Sequence, residues 1–188
     1  MNSFHRIFGG LLLVLLDIHL GQIEILADFI GYLLVLSALN GMDGNLKGMK
    51  GARSTTLIIS VLAIPQAFLG QPAGTAEGVN MGLDFPTIYY QSLGVLKLVL
   101  TFYLFQVFID WAGKKEDDVL KERAQKLFRF YLTAHILYYA LLPFSMNLPE
   151  NTAIPLFIVG IAVVIILEIT FLVLIRAFHK EQSRIELY

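Results

Sequence analysis

The chain has 188 residues, 56% of them hydrophobic and only 15% charged, against ~25% charged in an average soluble domain. Its formal net charge of −1 argues against nucleic acid as a partner, because phosphate binding needs a basic surface. The absence of cysteine excludes disulfides, thiolate metal sites and cysteine nucleophiles.

With a mean hydropathy of +0.68, the expectation is an integral membrane protein built as one domain over residues 1–188. The fold class expected is all-α: a polytopic transmembrane bundle of six helices. The apolar segments run Phe4–Leu20, Leu26–Leu39, Thr55–Leu69, Ile88–Ile109, Leu127–Met146 and Ile154–Phe178.

The first segment follows a charge-then-apolar order. No small-x-small cleavage site comes after Leu16, so it reads as an uncleaved helix. Ile7–Leu20 covers only about 21 Å at 1.5 Å per residue, short of a hydrocarbon core of ~30 Å. The first two segments therefore either span with tilt or thinning, or form a re-entrant hairpin. The turn between them gathers Asp17, His19, Glu24 and Asp28. Carboxylates with an imidazole suit a divalent cation. Acidic residues that simply mark an outer loop are the alternative, as is a hydrogen bond from Tyr32 to Asp28 one turn before it.

Residues 41–53, GMDGNLKGMKGAR, mix glycines with cations but lack the spacing of a phosphate loop. They read as a flexible loop near lipid headgroups. On the third segment Thr56, Ser60, Ala63, Ala67 and Gly70 form a face of small residues suited to close helix approach. Pro65 is expected to kink that helix.

The fourth segment is 22 residues long and carries one full charge, Lys97, near its middle. A lysine there costs roughly 2.5–3.5 kcal/mol on insertion scales. Tyr90, Gly94, Lys97 and Thr101 fall on one stripe of this helix, as Tyr131, His135, Tyr138 and Leu142 do on the fifth. Glu168 is the charge well inside the sixth. Ionisable groups at such depth face the bundle interior and pair. Lys97, His135 and Glu168, with Tyr90, Thr101, Tyr131 and Tyr138, are thus the candidate solute-binding or buried polar network. A purely structural ion pair is the alternative.

The segment GKKEDDVLKERAQK is expected to extend the fifth helix out of the membrane, with Glu122 and Lys126 paired at i,i+4. Of the fourteen Lys and Arg, all but Lys97 fall near one set of helix ends: Arg6 at the start of the first, Lys47 to Arg53 between the second and third, Lys114 to Arg129 about the junction of the fourth and fifth, and Arg176 to Arg184 at the end of the sixth. Both termini are therefore expected in the cytoplasm. Trp111 and the Tyr89–Tyr90 pair sit at opposite ends of the fourth segment, where interfacial aromatics belong.

No HExxH, GxSxG or comparable catalytic pattern occurs. No catalytic residue and no cofactor is assigned, and the balance leans away from an enzyme. The functional expectation is a small transport-related component that binds a polar solute. A non-catalytic accessory protein packing against another membrane protein is second, and an enzyme acting on lipid third. A hydrated cavity at Lys97 would favour the first, and an exposed small-residue face on the third helix the second.

The LLD…ILADFIGYLL pattern of residues 15–34 resembles uncharacterised small multi-pass membrane proteins of Gram-positive bacteria. That resemblance implies a bacterial plasma membrane and brings no activity with it. In size and helix count the chain also looks like the substrate-binding subunits of energy-coupling-factor vitamin transporters, a likeness of architecture only.

Overall fold

The computed structural model describes residues 3–16, 19–20, 23–24, 28–65, 85–145 and 148–185. Among the described residues there are six helices: α1 Ser3–Leu16, α2 Asp28–Asn40, α3 Met49–Leu62, α4 Phe85–Lys114, α5 Asp118–Ser145 and α6 Glu150–Ile185. A minimal hairpin of two-residue strands, β1 His19–Leu20 and β2 Ile23–Glu24, lies between α1 and α2.

Each helix packs against its neighbours in the chain, and α6 returns to α1, so the bundle closes as a ring. Aromatic side chains fill its centre. Phe4 meets Phe108, Trp111 and Phe178 at ring-centroid distances of 5.4, 5.0 and 5.3 Å, and Phe105 meets Phe171 at 4.7 Å. Such pairs add roughly 0.5–1.5 kcal/mol beyond their buried area. Trp111, near the end of α4, packs on Phe4 and Phe178.

Two helices, α4 over Ile88–Lys114 and α6 over Ile154–Arg184, are long and apolar enough to cross a membrane. Helix α5 is long as well, but its first half carries the expected charged extension, with Lys126 Nζ 2.7 Å from Glu122 Oε1. Helices α1 and α2 are apolar but have 14 and 13 residues, about 20 Å each.

Their boundaries differ from expectation: α1 stops at Leu16 rather than Leu20, because His19 and Leu20 pair with Glu24 and Ile23. The two helices cross at Gly10 and Gly31. A Cβ on Gly10 would fall 2.5 Å from the Gly31 carbonyl oxygen, and one on Gly31 equally close to that of Gly10. Only glycine at both positions permits this backbone-on-backbone contact.

Helix α3 begins at Met49, earlier than expected, and ends at Leu62 with a turn over residues 63–65. Pro65 thus follows the helix instead of kinking it, since its ring and missing N–H oppose another helical turn. Ala67 and Gly70 lie outside the described residues. The rest of the small-residue face is internal: Ala52, Thr56, Ser60 and Ala63 are all buried, and Leu57, Ile58 and Val61 face outward. Thr56 and Ser60 donate back to the carbonyls of Ala52 and Thr56, both at 2.6 Å, which satisfies their hydroxyls within the helix.

The 41–48 loop is pinned, contrary to the flexible reading. Arg53 donates to the Leu39 carbonyl at 2.8 and 3.2 Å and to the Met42 carbonyl at 3.1 Å. It thereby caps the C-terminus of α2, whose last carbonyls lack helical partners. The Lys47 N–H donates to Asp110 at 3.0 Å, tying the loop to α4.

Candidate functional site

Three helices bring a polar cluster together at the middle of the bundle. Lys97 and Thr101 sit one turn apart on α4, and Tyr131 and His135 one turn apart on α5, so each pair shares a face. Glu168 comes from α6. Lys97 Nζ lies 3.3 Å from Glu168 Oε1, and the Tyr131 hydroxyl donates to the same oxygen at 2.7 Å. Thr101 engages the Tyr131 phenol as well.

His135 stacks on Tyr131, with ring centroids 4.1 Å apart and planes at 18°. Its Nδ1 lies 2.9 Å from the Tyr131 carbonyl. A carbonyl only accepts, so this bond requires the proton on Nδ1 and leaves Nε2 for another partner. Thr101, Tyr131, His135 and Glu168 are buried. The Lys97 side chain retains 27% exposure and that of Glu168 10%, so the pair is not sealed from its surroundings.

Among the described residues of α6, none before Leu167 is buried, whereas Phe171, Ile175 and Phe178 beyond it are. Along α6 the ion pair therefore marks the level at which exposed positions give way to buried ones. A carboxylate there, held by one cation and one phenol, can exchange partners with an entering polar group.

Tyr90 and Tyr138 do not join the pair at this level. Tyr90 packs edge-on to Tyr89, with centroids 5.5 Å apart, and lies two turns from Lys97, roughly 10 Å along the axis. Tyr138 packs against Gly160, where an added Cβ would come 2.9 Å from its ring. The side chain of Leu142 lies outside the described residues. Tyr139, which the helical stripe passed over, is the missed member: its hydroxyl fills the space left by the absent side chain of Gly94, and it lies within electrostatic reach of Glu168. The signal was a tyrosine one turn beyond His135 facing a glycine on the neighbouring helix.

Asp17, His19, Glu24 and Asp28 are the candidate metal ligands. Asp17 lies outside the described residues, as do the side chains of His19 and Glu24. The backbone places His19 opposite Glu24 in the hairpin, and Asp28 opens α2, where a carboxylate suits the positive end of the helix dipole. Among the described residues no three metal-ligating side chains cluster. Comparison with protein-family models, curated proteins and solved structures finds no match to this chain.

Proposed function

We propose that this is a multi-pass protein of the bacterial plasma membrane, with cytoplasmic termini, which binds a polar solute beside Lys97 and Glu168. Support for a membrane setting comes from the outer faces of the helices. Leu57, Val61, Phe130, Ile158, Ile166 and Val173 are each more than half exposed. Large apolar side chains exposed on three helices are more than the isolated ones a soluble monomer shows, and suit a lipid-facing surface. The cationic ends of the helices and the 41–53 loop then lie on the cytoplasmic side. The resemblance to small membrane proteins of Gram-positive bacteria agrees with this setting.

The observation that carries the solute reading is a partly exposed ion pair inside the bundle, next to the aromatic cluster of Phe105 and Phe171. Lys97 meets anionic groups and Glu168 cationic ones, so zwitterions and small hydrogen-bonding solutes suit the pair best. An accessory role through helix packing is the second reading; of the small-residue face expected to serve it, Thr56, Ser60 and Ala63 are internal.

Thermal melting of the purified protein in detergent, with a panel of small amino acids, carboxylates and amines, tests the reading. A binding solute raises the melting temperature by linkage, and the Lys97→Met/Glu168→Gln double variant should lose that rise. No stabilisation by any member, or an equal rise in the double variant, would remove the solute site.

A further inference from the structure

A cleft of about 650 Å³ opens along the half of the α4–α5 hairpin nearest its turn, and its lining includes neither Lys97 nor Glu168. Small-ligand sites are typically ~300–1,000 Å³. Its rim carries Lys47, Lys114, Lys121 and Arg129 against one carboxylate, Asp110. Lys114 is partly balanced, lying 3.5 Å from Asp43 and 3.8 Å from Asp110. The N–H of Asn45, with Lys114 beside it, holds the Asp43 carboxyl below its ordinary range. Among the described residues no carboxylate stands within ion-pair distance of the Lys47 ammonium, Lys121 or Arg129. The rim thus keeps an excess of positive charge with Asp110 and Asp43 both counted.

The floor of the cleft is apolar. Phe102, Gln106, Ile109 and Gly113 follow one another on one face of α4, and Phe128 faces them from α5. The rings of Phe102 and Phe128 touch, with centroids 5.6 Å apart, and close the floor. Gly113 keeps the rim open, and Lys121 lies across it, its Nζ 3.7 Å from the place a Cβ would take. Cations along the rim, with Arg129 beside the aromatic floor of Phe102 and Phe128, match an amphiphile with an anionic head.

The geometry points to this cleft as a binding site for a phosphate group, held by Lys121 and Arg129 with Lys47 and the Gln106 amide. A phospholipid head is the source that also uses the apolar floor, given the membrane reading above. A free phosphate ester shares the head chemistry without the tail.

Melting of the full-length protein in mild detergent tests the site, using added phosphatidylglycerol, phosphatidylcholine, glycerol phosphate and inorganic phosphate in turn. Phosphatidylglycerol should stabilise, phosphatidylcholine should not, and Lys121→Gln/Arg129→Gln should weaken the apparent affinity about a hundredfold, roughly tenfold per charge-assisted bond. Lys115→Gln/Arg123→Gln removes the same charge from exposed positions outside the cleft and should change it little. Equal stabilisation by glycerol phosphate would keep the site and assign it to a soluble ester. An equal loss in the control variant, or no response to any phosphate, would overturn the proposal. Neither result depends on Lys97 or Glu168. A chain that stays soluble without detergent would remove the membrane reading while leaving the soluble-phosphate arm intact.

Discussion

Lys97 Nζ and Glu168 Oε1 stand 3.3 Å apart, and the Tyr131 hydroxyl reaches the same carboxylate oxygen at 2.7 Å. Donors from α4 and α5 thereby converge on one acceptor from α6, and the three longest described helices depend on one carboxylate for their polar registry. An ion pair so placed stabilises only while complete, because either partner left alone keeps its desolvation cost.

Removing one partner should therefore cost more than removing both. Lys97→Met and Glu168→Gln are each expected to destabilise by about 2–4 kcal/mol, toward the low end because Lys97 keeps some exposure. The double variant should be more stable than either single one. Tyr131→Phe should cost about 1–2 kcal/mol, the worth of a hydrogen bond to a charged group. Reversible unfolding in mixed micelles measures all four, and strictly additive losses would show that Lys97 and Glu168 do not act together.

The α1–α2 crossing makes a sharper demand on its sequence. Gly10→Val and Gly31→Val should each destabilise by about 2–4 kcal/mol, since a branched side chain must push two backbones apart. Gly9 has nothing within 4 Å of its would-be Cβ. Gly9→Ala should be neutral, or stabilising by about 0.5–1 kcal/mol through helix propensity. Melting of the three variants under one condition checks the contrast between adjacent glycines.

The α4–α5 turn can be improved. Glu116 takes φ 57°, while the N–H groups of Asp117 and Glu116 donate to the carbonyls of Ala112 and Gly113. This is the Schellman arrangement, in which glycine is preferred at the left-handed position. Glu116→Gly should raise stability by about 1 kcal/mol. Asp117 accepts the Leu120 N–H at 2.9 Å as N-cap of α5, and Asp117→Ala should lower stability by about 1 kcal/mol. Chemical denaturation of both variants gives the two signs.

What the sequence makes legible follows from which interactions are local. The stripes holding Lys97 and Thr101, and Tyr131 and His135, are set by helical period, so their faces can be read without a structure. Counting residues into each helix puts Lys97 and Glu168 about 7 Å apart in depth, a gap that is absent at the tips of their side chains. Long side chains reach along the axis, and residue counts do not see that. Tyr139 escaped because its place depends on a glycine of another helix. The length of α1 was overestimated because apolar character continues past Leu16 into the hairpin, and hydropathy does not register where backbone pairing changes. Arg53 shows the same limit: its charge is legible as an inner-side marker, but its use as a cap depends on how α2 and α3 meet.

The central claim is that water, and hence a polar solute, reaches the Lys97–Glu168 pair from the outer side and not from the cytoplasm. The chain has no native cysteine, so Lys97→Cys in the Glu168→Gln background can be labelled with a membrane-impermeant thiol reagent in vesicles of either orientation. Asn151→Cys and Asn45→Cys serve as outer and inner references; both positions are exposed. Gly48 is unsuitable as a reference, because its φ of 84° and its contact with Gln106 disfavour a side chain. The account predicts that cysteine at 97 reacts together with the one at 151, from outside alone. Reaction only from the side that labels position 45, or from neither side while both references react, would contradict it.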